Sequence, residues 1–143
     1  YLGVGGRLLL TGQDVGFWES GMSGFVWHEY YGRLLQAGFQ SDDAGQGDVM
    51  GTPGSVLDGV VLPLTGPDSA RNQVTPDSIR VLDTRIASLS GRYVDDGGAA
   101  LQAEGCHSYR AVYLAAGLEG MGDRASRAAV WSLTKPAKAS SSI

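Results

Sequence analysis

Two short, almost uniformly apolar runs lie near the two ends of the chain, one at residues 7–11 and one at residues 109–116. Each run is too short and too evenly apolar for an amphipathic helix, in which apolar residues recur every three or four positions. A strand that is buried on both faces of a parallel sheet has this composition. We therefore predict a buried strand at each position, followed in each case by a glycine-flanked turn that carries one acid.

A longer periodic segment follows the first strand, at residues 25–37. Apolar side chains recur there at every fourth position, as in Val26, Tyr30 and Leu34. This spacing predicts a helix with one broad apolar stripe, and Gly38 directly after it is a typical helix end.

A second helix is predicted at residues 124–133, with Asp123 in the position of an N-cap. The residues after it, 135–143, are rich in Ser and Ala and contain a Pro. We expect residues 1–134 to form one domain and residues 135–143 to be a flexible tail.

Between these ends the chain alternates short apolar runs with polar or glycine-rich turns, which predicts short strands. The predicted strands are residues 48–52, 59–65, 78–82, 84–89 and 99–103. The sequence therefore predicts an α/β fold with a mostly parallel sheet near the two ends of the chain and extra short strands in the middle.

Composition and charge narrow the function classes. The chain has 143 residues, a net charge of −4 and no block of Lys or Arg, so it lacks the basic surface that nucleic-acid binding requires. No apolar run approaches the ~20 residues of a membrane span, and no signal peptide is visible. The single cysteine, Cys106, excludes an internal disulfide and a site with several thiolate ligands.

The two glycine-punctuated strand ends resemble a known family. Residues 1–14, with the run Gly-Gly-Arg-Leu-Leu-Leu-Thr-Gly-Gln-Asp, and residues 112–120 resemble the second half of a class I glutamine amidotransferase-like domain. They are most similar to the domains of this kind that are appended to secreted bacterial peptidases and surface proteins. The resemblance extends from residue 1 to about residue 131.

This resemblance implies a flavodoxin-like sheet flanked by helices, of which the chain is the C-terminal portion of an incomplete domain. The missing strands would then come from the remainder of a parent polypeptide or from a second copy of the chain. The resemblance also implies an extracellular or cell-surface location.

The residues depart from the family at its catalytic positions. Catalytic members have a Gly-x-Cys-x-Gly turn and a His beside the later acid, whereas here the turn at residues 12–16 carries Asp14 and no His accompanies Glu119. A thiolate nucleophile is therefore absent from this turn. We expect a non-catalytic amidotransferase-like accessory or interaction domain of a secreted bacterial protein.

An alternative hypothesis is a small hydrolase in which Asp14 is the nucleophile or base, with His28 and Glu119 as its partners. Each residue also has a structural interpretation. Asp14 could bond to its own turn or cap the next segment, Glu119 could cap the helix that begins near Asp123, and His28 could be a packed or surface residue.

A third hypothesis is an extracellular module stabilised by calcium, held by the acid-rich turn of Asp42, Asp43 and Asp48. The spacing does not match a calcium-binding loop, and solvated turns have the same composition. Calcium is the only cofactor that the sequence suggests. The adjacent pair Cys106 and His107 is a poor catalytic dyad, because neighbouring residues in a strand point to opposite faces.

Overall fold

The computed structural model describes residues 1–20, 28–45, 47–95, 97–105 and 108–133. Within these ranges the chain forms eight strands and three α-helices. The strands are β1 Arg7–Thr11, β2 Ala37–Ser41, β3 Val49–Gly51, β4 Val61–Leu62, β5 Ser78–Val81, β6 Ala87–Tyr93, β7 Gly98–Glu104 and β8 Arg110–Leu114. The helices are α1 Val15–Glu19, α2 Glu29–Arg33 and α3 Arg124–Ser132.

All eight strands belong to one mixed sheet that curls strongly into a half-barrel. Its main path runs β1-β8-β7-β6-β3-β4, while β2 pairs with β5, and β5 joins β7 where Ile79 lies opposite Gly98. Only the β1–β8 pair is parallel, and the other described pairs are antiparallel. The predicted mostly parallel, flavodoxin-like sheet flanked by helices is therefore wrong.

The short connections explain the antiparallel pairing. Only residues 94–97 separate β6 from β7, and only residues 105–109 separate β7 from β8. A parallel pair needs a crossover of roughly a dozen residues or more, so these strands can only form hairpins. β8 is parallel to β1 and antiparallel to β7, so the apolar character of β7 and β8 reflects their burial and does not identify a parallel sheet.

Side chains of β8 alternate between two buried clusters, one on each face of the sheet. Ala111 and Tyr113 contribute to a cluster with Tyr31 of α2. Leu114 contributes to a cluster with Val130 of α3. The predicted burial of this strand is confirmed, and helices cover both faces of the sheet at this point.

The first predicted helix is much shorter in the structure. Of residues 25–37, residues 25–27 lie outside the described part, and α2 spans only Glu29–Arg33. Gln36 has a left-handed backbone with φ of 58°, which ends the helical turn. The chain then enters β2 at Ala37, so Gly38 lies inside a strand, opposite Arg80, rather than capping a helix.

The last helix agrees with its prediction. Asp123 is the N-cap of α3, and its Oδ1 accepts a hydrogen bond of 2.8 Å from the Ser126 N–H. The predicted tail at residues 135–143 lies outside the described residues. None of the helices in the described ranges is long and apolar enough to span a membrane.

Candidate functional site

The two acid-bearing turns leave the sheet at the same edge. Because β1 and β8 are parallel, with Thr11 opposite Leu114, the turn that carries Asp14 and the turn that carries Glu119 both start there. The hydrolase hypothesis, in which Glu119 is a partner of Asp14, requires the two acids to share an edge in this way. We call this region the strand-end site.

The strand-end site is crossed by residues 73–77, which we call the crossing segment. The Gln73 amide joins it to the β8 turn, since its Oε1 accepts a hydrogen bond of 2.6 Å from the Gly117 N–H. Its Nε2 donates to Glu119 Oε1 at 3.5 Å. At the β1 turn, the Thr75 hydroxyl donates to Asp14 Oδ1 at 3.3 Å. The crossing segment therefore bridges the two acids that the sequence singled out.

Asp77, the last residue of the crossing segment, caps α1 from a distance of about sixty positions in sequence. Its Oδ2 accepts hydrogen bonds from the Gly16 N–H at 2.5 Å and the Phe17 N–H at 3.1 Å. Asp14 occupies the N-cap position of α1 but forms no side-chain capping bond. Asp77 thus makes the capping bonds that the sequence would assign to Asp14.

Asp77 is fully buried, with no exposed surface. Burial raises the pKa of its carboxyl group to about 7, against the two backbone hydrogen bonds, which lower it. The negative charges of Asp14 and Asp42 also raise this pKa. Few carboxyl groups have a pKa near 7. Those that do are found at functional sites and also in buried networks of charged groups that have a structural role.

Three tyrosines surround Asp77 on its buried side. The Tyr93 hydroxyl donates to the Asp77 carbonyl at 3.1 Å and to the Ala115 carbonyl at 3.2 Å. Tyr31 and Tyr113 pack edge to face, with ring centroids 5.7 Å apart. Burial raises the pKa of each tyrosine, so all three hydroxyl groups are protonated and neutral near pH 7. Among the described residues, the charges that shift the pKa of Asp77 are the negative charges of Asp14 and Asp42.

No match to this chain is found among protein-family models, curated proteins or solved structures. The likeness to amidotransferase-like domains stays a prediction.

His28 lies at the far end of α1 from Asp14. It is the N-cap of α2, its Nδ1 contacts Glu19 Oε2, and its N–H donates to the Glu19 carbonyl at 3.1 Å. Asp14 precedes the first residue of α1 and Glu19 is its last, so about 7 Å of helix separates them. The structure brings Asp14 and Glu119 to one edge and places His28 with Glu19.

Two of the acids suggested for calcium accept hydrogen bonds from protein groups, Asp43 within its own turn and Asp48 from the segment that follows β4. Asp43 Oδ1 accepts from the Gly45 N–H at 2.8 Å. Asp48 Oδ1 accepts from the Leu64 N–H, the Thr65 N–H and the Thr65 hydroxyl, at 2.9 to 3.1 Å. Within the described ranges, no group of three or more His, Cys, Asp or Glu side chains is placed to hold a metal ion. Asp42 belongs to no such group.

Sequence reasoning missed Gln73, Thr75 and Asp77, which lie in the polar loop between the predicted strands at residues 59–65 and 78–82. Nothing local distinguishes Asp77 from Asp68 in the same loop, since both are single acids near a Pro. Only the tertiary fold brings Asp77 to α1. Cys106 and His107 lie outside the described residues.

Proposed function

We propose that this chain is a non-catalytic interaction domain that takes up a further strand at the open edge of β1. The observation that carries the proposal is a mismatch between the composition of β1 and its place in the sheet. Its Leu8-Leu9-Leu10 run is typical of a central strand buried on both faces. Yet β1 stands at the end of the strand order, and all five of its residues are only partly buried.

The hydrogen bonds of β1 identify the groups at the open edge. The Gly12 N–H donates to the Leu114 carbonyl at 3.2 Å, so even-numbered residues of this strand face β8. Backbone groups of neighbouring residues in a strand point to opposite edges, so those of Leu9 and Thr11 face away from β8. Among the described residues, no strand lies on that side.

Tyr1 closes the beginning of the same edge. Its hydroxyl accepts a hydrogen bond of 3.1 Å from the Arg7 N–H, which also faces away from β8. The open stretch therefore runs from Leu9 to Thr11. A short strand that paired there would add main-chain hydrogen bonds and cover the partly exposed leucines, which is how β-strand addition gains affinity.

The polar groups near the strand-end site support the non-catalytic part of the proposal. Asp14 accepts from Thr75, Glu119 accepts from Gln73, and His28 contacts Glu19. The hydrolase alternative requires His28 to act on Asp14, but His28 contacts Glu19 instead, so the described residues do not assemble the set that this alternative needs. In keeping with the family resemblance, we propose an accessory domain of a secreted bacterial protein, completed by its parent polypeptide or by a second copy.

The edge is tested with Thr11→Pro, which removes an outward N–H while leaving the β8 ladder intact. Leu10→Pro is the contrast, because it removes an inward N–H, and we expect it to lower the melting temperature clearly. Sedimentation velocity is measured on the chain alone and on the full polypeptide of its reading frame.

If a second copy fills the edge, the chain dimerises and Thr11→Pro dissociates the dimer without lowering monomer stability. If the parent polypeptide fills it, the chain alone is monomeric, and Thr11→Pro destabilises only the full polypeptide. A monomeric chain, together with a full polypeptide that Thr11→Pro leaves unchanged, would refute the proposal.

A further inference from the structure

We infer that the strand taken up at the open edge of β1 is β1 of a second copy of this chain, paired antiparallel about a two-fold axis at Leu10. The inference rests on the proposed function, because it names the partner of the same edge. It also fixes the register of the pair, in which Leu9 of each copy lies opposite Thr11 of the other.

The two faces of β1 define the side chains that an added strand needs. Leu8 and Leu10 pack against the apolar cluster on one face of the sheet, and Leu9 packs against the cluster on the other face. All three are only partly buried, so a strand beside them would have apolar neighbours on both faces. Such a strand needs apolar side chains at successive positions. The Leu8-Leu9-Leu10 run of β1 itself has this composition.

The other end of the main strand order is a poorer partner for β1. That end is β4, which has only two residues, Val61 and Leu62, and is followed directly by Pro63. A short edge strand with a Pro is typical of an edge that is protected against pairing. β1 has five residues and no Pro, and pairing the same edge of two copies gives a closed, isologous dimer.

The groups at the beginning of β1 exclude one register of this pair. Two-fold registers centred on Leu9, Leu10 or Thr11 would each use the open stretch. The register centred on Leu9 places Arg7 opposite Thr11 of the second copy and requires a bond from the Arg7 N–H. This N–H already donates to the Tyr1 hydroxyl at 3.1 Å.

The turn after β1 excludes the register centred on Thr11. That register places Leu9 opposite Gln13 of the second copy. Gln13 lies beyond the end of the strand, and its carbonyl accepts a hydrogen bond of 2.9 Å from the Asp77 N–H. The register centred on Leu10 avoids both conflicts, because it uses only the outward groups of Leu9 and Thr11.

The charges at the two ends of β1 favour the antiparallel direction. The strand begins with Arg7, and the turn after it carries Asp14. In the register centred on Leu10, Arg7 lies opposite Gln13 of the second copy and next to its Asp14. A parallel arrangement in register would instead bring like charges together, which is unfavourable for neighbouring strands.

The test is disulfide cross-linking in a Cys106→Ser background, in which an introduced cysteine is the only thiol. Residues that face each other in a pair without mutual hydrogen bonds, as the two Leu10 residues would, have Cα atoms about 4.5 Å apart, within the range of a disulfide. Leu8→Cys is the matched control on the same face, because the two Leu8 Cα atoms would lie about 14 Å apart. Under mild oxidation, Leu10→Cys should form at least about tenfold more covalent dimer than Leu8→Cys.

A second measurement needs no substitution, so it holds even if the cysteine variants fold poorly. The Leu10 N–H faces β8, so its α-hydrogen faces the open edge and would meet that of the second copy. In a mixture of isotope-labelled and unlabelled chain, an isotope-filtered NOE experiment should show an intermolecular contact between the two Leu10 α-hydrogens. Thr11→Pro should abolish this contact.

A chain that sedimentation velocity shows to be monomeric would overturn the inference. The proposed function would survive that result if the Leu9 and Thr11 amides are protected in the full polypeptide, and would fail with it if they are not. Equal cross-linking of Leu8→Cys and Leu10→Cys, or a dimer without the Leu10 contact, would place the interface in another register or on another surface and would overturn the inference too.

Discussion

Asp77 is the residue whose environment is most unusual, because a fully buried carboxyl group caps α1 close to the acids Asp14 and Asp42. Its pKa is raised from 3.8 to about 7 in the folded chain. The tyrosines that surround it, Tyr31 and Tyr113, are neutral over this range. The charged groups that contribute to this shift are Asp14 and Asp42, and both raise the pKa.

We predict that Asp77 lowers the stability of the chain as the pH rises from about 4 to about 7. Below pH 4 both the folded and the unfolded state hold the proton. Between the two pKa values only the folded state holds it, so the free energy of unfolding falls with pH, and above pH 7 the loss is constant. A shift of this size corresponds to at most about 4 kcal/mol.

The prediction is checked by urea denaturation of the wild type and Asp77→Asn at several pH values from 4.5 to 8. Other acids titrate in both proteins, so the quantity of interest is the difference between the two free energies of unfolding. Asn keeps an oxygen that can accept from the Gly16 N–H but has no proton to lose. We expect this difference to move in favour of Asp77→Asn as the pH rises, and a constant difference would contradict the prediction.

Asp14 should matter much less than Asp77. It accepts one long hydrogen bond, 3.3 Å from the Thr75 hydroxyl, and makes no capping bond. We predict that Asp14→Ala costs about 1 kcal/mol or less in the free energy of unfolding. It should also lower the pKa of Asp77, since it removes one of the charges that raise it. An Asp14→Ala variant that kept its melting temperature but lost a measurable hydrolytic activity would contradict the non-catalytic proposal.

At the scale of elements, the junction of α1 with the crossing segment depends on Gly16. A Cβ at this position would lie 2.7 Å from the Tyr31 hydroxyl and 2.8 Å from Asp77 Oδ2. We predict that Gly16→Ala destabilises the chain by about 1–3 kcal/mol, the usual cost of overpacking a buried site. Gly3→Ala is the control, because no atom lies within 4 Å of its Cβ position. Equal free energies of unfolding for the two variants would show that the α1 junction can relax.

The sequence predicted those elements whose signal is local. Burial of β8 follows from its uniform apolarity, and the start of α3 follows from Asp123 as an N-cap. The predicted burial of β1 is wrong, because this strand lies at the end of the strand order and its five residues are only partly buried. The predicted helix at residues 25–37 was too long, because the apolar spacing continues into β2. At Gln36 the left-handed backbone interrupts the helix, and no local pattern in the sequence marks this position.

The candidate site was predictable only in part. The acids Asp14 and Glu119 follow apolar strands, so their common edge could be inferred once the strands were assumed parallel. Asp77 could not be found this way, because its contact with Gly16 joins residues 61 positions apart and depends on the path of the crossing segment. No periodic pattern of residues in the sequence indicates a long-range contact of this kind.

At the scale of the whole molecule, the amino-acid composition of the strands did not predict whether neighbouring strands pair in parallel or antiparallel. Strands that are buried on both faces have similar sequences whether they are parallel or antiparallel, so the apolar run of β8 indicated a parallel sheet, although β8 is antiparallel to β7. The lengths of the connecting turns carried the missing information. Five residues between β7 and β8 allow only a hairpin, and the long interval between β1 and β8 allows the one parallel pair.

The open edge of the sheet gives a prediction for the molecule in solution. In a monomeric chain, the amides of Leu8 and Leu10 face β8 and should exchange with solvent slowly, whereas those of Leu9 and Thr11 should exchange quickly. Docking of a further strand would pair the outward amides, so their exchange should slow by about tenfold or more while Leu8 and Leu10 change little. Amide hydrogen exchange measured by NMR, on the chain alone and on the full polypeptide, resolves these four positions. Rapid exchange at Leu9 and Thr11 under every condition would mean that the edge stays open, and slow exchange at all four in a monomeric chain would mean that it is already covered.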